Sequence, residues 1–242
     1  MNDKATVRKC KAIRDHIYRR EELSSFVLER TLSGLLSPEC TVVDVGCGRK
    51  ATLLRSLSPR VKKAYGIDRV VPKATVEGNT TIVQGDAEAI PLPDRSADVV
   101  TMIDVVEHLR DPERAFRECR RILKPRGSLL LRTPSKYYPP TFVGRALPHR
   151  IRQWANLTLT RTRRQDTFPA YYRANSYRDL RRLSSSAGLE VVSIQYVLHH
   201  PALFMFSPVA YRCAVAVERF VLQRKTFRCF RHRIFCHLMR SD

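Results

Sequence analysis

The chain has 242 residues, of which 43% are hydrophobic, enough to build the core of one α/β domain with decorations. This composition excludes wholesale disorder. Lys and Arg number 44 against 23 Asp and Glu, which gives a formal net charge of +21. Such an excess favours anionic partners, namely nucleic acid, an anionic membrane surface or an acidic substrate.

The seven cysteines include no CxxC pair, so the sequence predicts neither a disulfide framework nor a zinc site. Reduced thiols fit a cytosolic compartment. The charged N-terminus lacks the apolar core of a secretory signal, and no segment reaches the roughly 18 apolar residues of a membrane span. We therefore expect a cytoplasmic protein without a metal.

The predicted elements alternate between strands and helices after one N-terminal helix, expected over 12–36. Strands are predicted at 41–45, 63–67, 81–83, 97–103, 128–132 and 189–196. Helices are predicted at 51–57, 112–123 and 177–187. This order predicts an α/β fold, a Rossmann-like, doubly wound and mostly parallel sheet with helices on both faces.

Residues 134–175 interrupt this alternation after the fifth predicted strand and are rich in Pro, Tyr and Arg. An insertion at the carboxyl end of a strand is placed to cover a ligand crevice. We therefore predict a domain over 1–200 whose insertion forms a lid over a ligand site. Residues 201–242 are expected to form an amphipathic helix, beginning near Pro208, and a basic tail.

A glycine turn, Gly46-Cys47-Gly48, follows the first predicted strand and should lead into a helix. Glycine lets the backbone turn sharply and lets a ligand approach it closely. Asp68 ends the second strand and can accept hydrogen bonds from ribose hydroxyls, and Asp86 follows the third strand. Taken alone, these residues also fit a dinucleotide such as NAD, because 46–51 satisfies G-x-G-x-x-G/A.

The ordered set of motifs resembles the class I S-adenosylmethionine (SAM)-dependent methyltransferases, in the branch with an Asp-x-Gly-x-Gly turn and a Glu-His-Leu signature. The resemblance covers about 19–196 and is carried by 42–48, 66–68, 85–88 with 91–93, 98–100, 106–109 and 123–127. It implies a methyltransferase with SAM as cofactor. Arg49 and Lys50 depart from the pattern, which has small residues or glycine there.

The resemblance also implies roles around the cofactor. It assigns Asp44 to the amino group of SAM, Gly46, Cys47 and Gly48 to the methionine part, Asp68 to the ribose, Asp86 and Ala87 to the adenine, and Ile103 and Asp104 to the sulfonium region.

The acceptor side is less defined by the sequence. His108 would act as a general base if the acceptor must lose a proton, and otherwise stabilises the Glu-His-Leu turn. Residues expected to line the acceptor pocket are Thr133, Tyr137, Tyr171, Tyr172 and Arg173. The expected acceptor is small or amphiphilic and anionic, with methylation at oxygen favoured over nitrogen or carbon.

The C-terminal basic segment favours contact with an anionic membrane, such as the inner membrane face, which would suit a lipid-like acceptor. Nucleic acid is disfavoured because no RNA-binding module is recognisable. The rival hypotheses are a membrane- or RNA-associated binding protein with a degenerate cofactor pocket, kept open by Arg49 and Lys50, and an RNA methyltransferase. The sequence predicts no oligomeric state.

Overall fold

The computed structural model describes residues 4–18, 23–71, 74–139, 141–142, 169–197, 201, 204–222 and 224–242. The helices are α1 (Lys4–Ile17), α2 (Ser24–Leu35), α3 (Thr52–Leu57), α4 (Pro112–Ile122), α5 (Tyr177–Ser186) and α6 (Pro208–Leu222). The strands are β1 (Thr41–Val45), β2 (Lys63–Asp68), β3 (Thr75–Glu77), β4 (Thr80–Gln84), β5 (Ala97–Ile103), β6 (Leu123–Pro134), β7 (Leu189–Val197) and β8 (Arg233–Arg240).

The strands form one eight-stranded sheet in the order β3-β4-β2-β1-β5-β6-β8-β7. The β1–β2, β1–β5, β2–β4 and β5–β6 pairs are parallel, and the β3–β4 pair is antiparallel. The predicted α/β class with a mostly parallel sheet is confirmed. Because parallel strands end at the same edge, the carboxyl ends of β1, β2, β4, β5 and β6 meet there.

Local sequence explains why these elements form where they do. β1 is a β-branched run with every residue buried, as expected for a central strand covered on both faces. α4 begins at Pro112, in the first helical turn, after Asp111, whose side chain accepts a hydrogen bond from the Arg114 N–H. Its inner face buries Phe116 and Cys119.

One predicted helix needs correction, and one short strand was not predicted. The single helix expected over 12–36 is wrong, because α1 ends at Ile17 and α2 begins at Ser24. The short strand β3 was not predicted, and its three residues are all exposed, so it carries no buried pattern that would identify it.

The C-terminal residues also contain an element that the sequence did not suggest. Strand β8 lies in the sheet between β6 and β7, although its sequence was interpreted as a basic tail. Phe235 and Leu238 are buried in it. The buried Arg240 donates from Nη1 to the carbonyl oxygens of Arg120, Arg121 and Leu123 at 2.9, 3.3 and 2.6 Å. These bonds allow a cationic residue to end a buried strand.

The chain divides into two compact units. Unit 2 comprises Leu28–Thr133, Ala170–Gln195 and Ile234–Asp242, and it holds most of the sheet. Unit 1 comprises Met1–Val27, Pro134–Pro169 and Tyr196–Arg233. In unit 1, α1 packs against α6 around a small core of Cys10, Tyr18, Tyr211 and Val215.

The predicted lid falls largely on residues 143–168, which lie outside the described residues. The helix predicted to begin near Pro208 is present as α6. No helix in the described ranges combines the length and apolarity that a bilayer span requires.

Candidate functional site

The glycine turn after β1 has the geometry that its sequence predicts. Gly46 has φ +79°, and its N–H donates to the Ile67 carbonyl oxygen at 2.7 Å. A Cβ at Gly46 would clash with Val105 Cγ2, so any other residue would force Val105 to shift. Gly48 has φ +67°, but a Cβ there would meet no protein atom within 4 Å. The turn is therefore closed by protein at Gly46 and faces open space at Gly48.

Asp68, at the end of β2, lies directly against this turn. Its Oδ2 accepts a hydrogen bond from the Gly48 N–H at 2.7 Å, and its Oδ1 accepts one from the Val70 N–H at 3.0 Å. These two bonds fix the orientation of the carboxylate, and each oxygen keeps further acceptor capacity. The structure thus places together the turn and the carboxylate that the sequence analysis assigned to one ligand.

Asp86 lies at the same edge, because the Gly85 N–H donates to the Asp68 carbonyl oxygen at 3.2 Å. Its carboxylate accepts from Arg69 Nη2 at 2.5 Å, from Arg69 Nε at 3.1 Å and from the Glu88 N–H at 3.0 Å. Although burial alone would raise it, these hydrogen bonds hold the pKa of Asp86 below its ordinary value. Ala87 is buried beside it. The ion pair with Arg69 was missed, and its only sequence signal is a cation directly after Asp68.

Asp44 is buried inside β1, beneath the turn. Its Oδ1 accepts a hydrogen bond from Thr101 Oγ1 at 2.6 Å. Burial raises the pKa of Asp44 to about 7, partly offset by this hydrogen bond, while the charge of Asp68 raises it further. Burial also raises the pKa of Cys47 to about 12, so the thiol is protonated at neutral pH and unsuited to nucleophilic chemistry.

Ile103 and Asp104 end β5, with Asp104 in the left-handed region at φ +60°. The Asp104 N–H donates to the Arg132 carbonyl oxygen at 2.8 Å, and Arg132 Nη2 pairs with Asp104 Oδ2 at 2.6 Å. Burial lowers the pKa of Arg132, and the carboxylate of Glu107 opposes that effect. Arg132 was missed because it lies inside an apolar strand pattern, where the sequence gives no sign of an ion pair.

Glu107 is the buried centre of the Glu-His-Leu turn, a 3₁₀ turn over Val106–His108. Its Oε2 accepts from Thr133 Oγ1 at 3.0 Å, and Thr133 Oγ1 in turn accepts from Asn175 Nδ2 at 2.6 Å. Burial raises the pKa of Glu107 to about 7, partly offset by hydrogen bonds to its carboxylate. His108 follows it and is half-buried.

The backbone of Glu107 also holds two of the predicted acceptor residues. Its carbonyl oxygen accepts from the Tyr171 N–H at 2.7 Å and from the Tyr172 N–H at 3.2 Å. Four predicted residues, Thr133, Tyr171, Tyr172 and His108, therefore gather at this turn. Asn175 joins them through its side chain and was not among the predicted site residues.

Two arginines flank Tyr171. Arg110 Nε donates to Tyr171 Oη at 3.2 Å, and the guanidinium carbon of Arg173 lies 5.5 Å from the Tyr171 ring centroid. Arg173 Nη1 also donates to the Arg110 carbonyl oxygen. Within the described ranges, no carboxylate pairs with either guanidinium. This arrangement leaves two cations beside the Glu107 turn.

Tyr137 belongs to unit 1, whereas the residues above belong to unit 2. It is 41% exposed, with Lys136 Nζ 5.5 Å from its ring centroid. Its place in the acceptor site stays a prediction.

A family model described as a methyltransferase domain matches residues 15–194, well over half of the chain. The chain belongs to this methyltransferase family. The class I methyltransferase predicted from the motifs is confirmed.

Two curated relatives share the central part of this methyltransferase. A Mycobacterium tuberculosis protein named as an S-adenosylmethionine-dependent methyltransferase is 36% identical over 107 residues, which are 42% of this chain and 39% of that protein. The ubiquinone/menaquinone biosynthesis C-methyltransferase UbiE of Ectopseudomonas mendocina is 44% identical over 71 residues, 29% of this chain and 27% of that protein. The chain thus spans about two-fifths or less of the length of these relatives.

A solved structure shares the fold. Geranyl diphosphate C-methyltransferase from Streptomyces coelicolor, determined with S-adenosylhomocysteine, superposes with a TM-score of 0.58 at 14% identity. The superposition covers 89% of this chain and 76% of that one. SAM, the cofactor predicted from the motifs, is the one named for the mycobacterial relative, and its demethylated product is bound in this neighbour.

The residues of the methyltransferase turn fit an adenosyl sulfonium. The open space at Gly48 admits a ligand against the main chain, and Asp68 offers two fixed oxygens for a pair of hydroxyls. The carboxylate of Asp68 provides negative potential for a cationic ligand. Among the described residues, no group of His, Cys, Asp and Glu side chains is placed to hold a metal.

Proposed function

We propose that this methyltransferase transfers the methyl group of SAM to a small or amphiphilic, anionic acceptor. The observation that carries the proposal is the 2.7 Å hydrogen bond between the Gly48 N–H and Asp68. It brings the glycine turn of β1 and the carboxylate of β2 to one point, with open space beside them.

On the donor side, each residue has a distinct task. Asp68 accepts from the two ribose hydroxyls, and the turn 46–48 holds the methionine part. Asp44 neutralises the amino group, directly or through a water. SAM brings its own leaving group, a sulfonium, so the protein supplies position and electrostatic field rather than activation.

Asp86 and Ala87 are proposed to bind the adenine. The ion pair with Arg69 modifies this role, because the guanidinium already occupies one oxygen of Asp86. The adenine amine would share that carboxylate, and the flat guanidinium is suited to lie against the adenine ring. Ile103 and Asp104, at the end of β5, are proposed to flank the sulfonium.

On the acceptor side, Arg110 and Arg173 support an anionic group. Guanidinium pairs recognise carboxylate and phosphate through charge-assisted hydrogen bonds, and neither side chain is neutralised by a described carboxylate. Tyr171 keeps the two cations together. Thr133 and Tyr172 complete the part of the proposed pocket that unit 2 provides.

His108 is proposed as the general base for a hydroxyl acceptor, since methylation at oxygen requires a proton to leave. UbiE and the Streptomyces neighbour are both named C-methyltransferases, so methylation at carbon is the alternative. An amphiphilic acceptor of either kind would bring the protein to a membrane surface.

The proposal is tested by a pair of glycine variants. Gly48 and Gly78 both have positive φ, +67° and +59°, and a Cβ would meet no protein atom at either position. Gly48→Ala and Gly78→Ala therefore impose similar backbone strain. Only Gly48→Ala places a methyl group in the proposed SAM site.

Isothermal titration calorimetry with SAM measures the difference. We expect Gly78→Ala to bind SAM like the wild type and Gly48→Ala to bind at least about 10-fold more weakly, because a methyl group occupies ligand space. Equal affinities would refute the donor site. Absence of SAM binding in the wild type would favour the rival hypothesis of a degenerate pocket.

A further inference from the structure

Helix α6 of unit 1 has an unusual distribution of polarity. Its outer face carries Val209, Val217 and Phe220, which are 71, 62 and 70% exposed, together with exposed Cys213. Their spacing places them on one stripe along the helix. Its inner face instead buries the carboxylate of Glu218. We call the outer residues Val209, Cys213, Val217 and Phe220 the α6 stripe.

The packing of the inner face fixes which side of α6 faces outward. Tyr211 and Val215 are buried against α1. Tyr18 donates its hydroxyl hydrogen to Glu218 Oε2 in a short hydrogen bond. Rotating the helix to bury the α6 stripe would break this hydrogen bond and expose Tyr211. The exposure of the stripe is therefore a consequence of specific packing.

Two arginines lie beside the α6 stripe. Arg212 lies next to it on the helix and is exposed, and the guanidinium carbon of Arg224 lies 4.9 Å from the Phe220 ring centroid. In the described part of unit 1 the acidic residues are Asp15 and Glu218. Asp15 pairs with Arg14, and Glu218 is buried. The α6 stripe thus has arginines beside it, and the described acids of unit 1 are either paired or buried.

We propose that the α6 stripe docks on the surface of a bilayer containing anionic lipids. Apolar side chains insert at the headgroup boundary while neighbouring arginines contact lipid phosphates, the arrangement of an interfacial helix. A second copy of the chain would bring the same cations to the contact, which opposes self-association through this face. RNA would satisfy the cations and leave the stripe exposed.

The sequence analysis assigned membrane contact to the whole C-terminal basic segment, but only part of that segment is exposed in the structure. Ile234, Phe235 and Leu238 of the basic tail are buried in β8 and unable to insert into lipid. Phe227 and the exposed Arg228, which precede β8, remain on the surface of unit 1. None of these residues belongs to the proposed SAM site, so either proposal can fail alone.

Co-sedimentation of the full chain with vesicles tests the proposal. Vesicles of phosphatidylcholine alone are compared with vesicles that also contain phosphatidylglycerol. We expect binding to the anionic vesicles at least about 10-fold stronger than to the neutral ones, and weaker as salt is added. We expect the double variant Val217→Ser/Phe220→Ser to lose about 10-fold or more of that binding.

The matched control is Val76→Ser, because Val76 on β3 is 70% exposed but belongs to unit 2. It should bind vesicles like the wild type. Urea unfolding shows whether the double variant Val217→Ser/Phe220→Ser keeps its fold. If the double variant does not fold, the single variant Val209→Ser, at the other end of the α6 stripe, takes its place. No binding by the wild type, or full binding by the stripe variants, would overturn the proposal. A concentration-dependent dimer abolished by the stripe variants would assign the surface to a second copy.

Discussion

The two units of the chain use their charged residues in opposite ways. In unit 2, Asp68, Asp86 and Asp104 sit at the ends of strands, where backbone N–H groups or arginines orient each carboxylate. In unit 1, the described acids are paired on the surface or buried, and arginines lie beside an apolar stripe. The difference underlies the two proposals made above: the sheet edge would hold one defined cationic ligand, whereas the surface of unit 1 would bind an extended anionic one.

The largest effect is expected from removing the central carboxylate of unit 2. Asp68→Ala deletes the acceptor for the Gly48 N–H and the proposed acceptor for two ribose hydroxyls, and hydrogen bonds to a charged group contribute about 1.5–3 kcal/mol each. We predict a loss of SAM affinity of about 100-fold or more in calorimetry. Asp94→Ala, which removes an exposed partner of Arg121, should bind SAM normally. Equal behaviour of the two variants would show that the sheet edge has no special role.

A smaller effect is expected in the buried chain of hydrogen bonds in unit 2. Thr133→Val leaves Glu107 and Asn175 without the hydroxyl that joins them. Leaving buried polar groups unpaired costs about 1–3 kcal/mol, so the free energy of unfolding in urea should fall by that amount. Thr81→Val, at a half-buried position on β4, should change the free energy of unfolding by less than about 0.5 kcal/mol. A loss no larger than that of Thr81→Val would contradict the structural role of this chain.

The smallest effect concerns pH, and it should appear in both units. Burial raises the pKa of Glu107 in unit 2 and of Glu218 in unit 1 from 4.5 to about 7. Between those values the folded state keeps protons that the unfolded state has lost, so stability falls as pH rises from about 4.5 to about 7. Glu107→Gln and Glu218→Gln should each flatten that fall, measured by urea unfolding at several pH values.

The two pH effects should add, because the groups lie in different units. A slope should remain in the double variant, since burial also raises the pKa of Asp44 to about 7. Glu39→Gln is the control, because the pKa of this exposed group is lowered by its hydrogen bond to Lys62. If neither buried variant flattened the curve more than Glu39→Gln does, these carboxyls would not titrate as described.

The meeting of the glycine turn with Asp68 could be predicted because it depends on a topological rule. Parallel strands end at one edge, so Gly46, Gly48 and Asp68 are brought together whatever surrounds them. The Gly46 and Gly48 turn also requires positive φ, which few other residues adopt, and so leaves a clear mark in the sequence.

The parts that escaped prediction depend on contacts between distant segments. Arg240 donates from Nη1 to carbonyl oxygens at the end of α4, far away in the chain, and no local pattern reveals such partners. No local pattern reveals the ion pair between Arg132 and Asp104 either. On α6 the local pattern was visible, but periodicity alone does not tell which face packs inward. The buried Glu218 and Tyr211 show that the apolar stripe faces outward.

The most direct test of the central claim is a calorimetric titration of the wild-type chain with S-adenosylhomocysteine and, separately, with NADH. Both ligands carry an adenosine that Asp68 and Asp86 would suit, but the open space at Gly48 is assigned to a methionine moiety rather than to a pyrophosphate. We predict binding of S-adenosylhomocysteine in the micromolar range and no measurable heat with NADH. Binding of NADH without S-adenosylhomocysteine would contradict the assignment of the sheet edge.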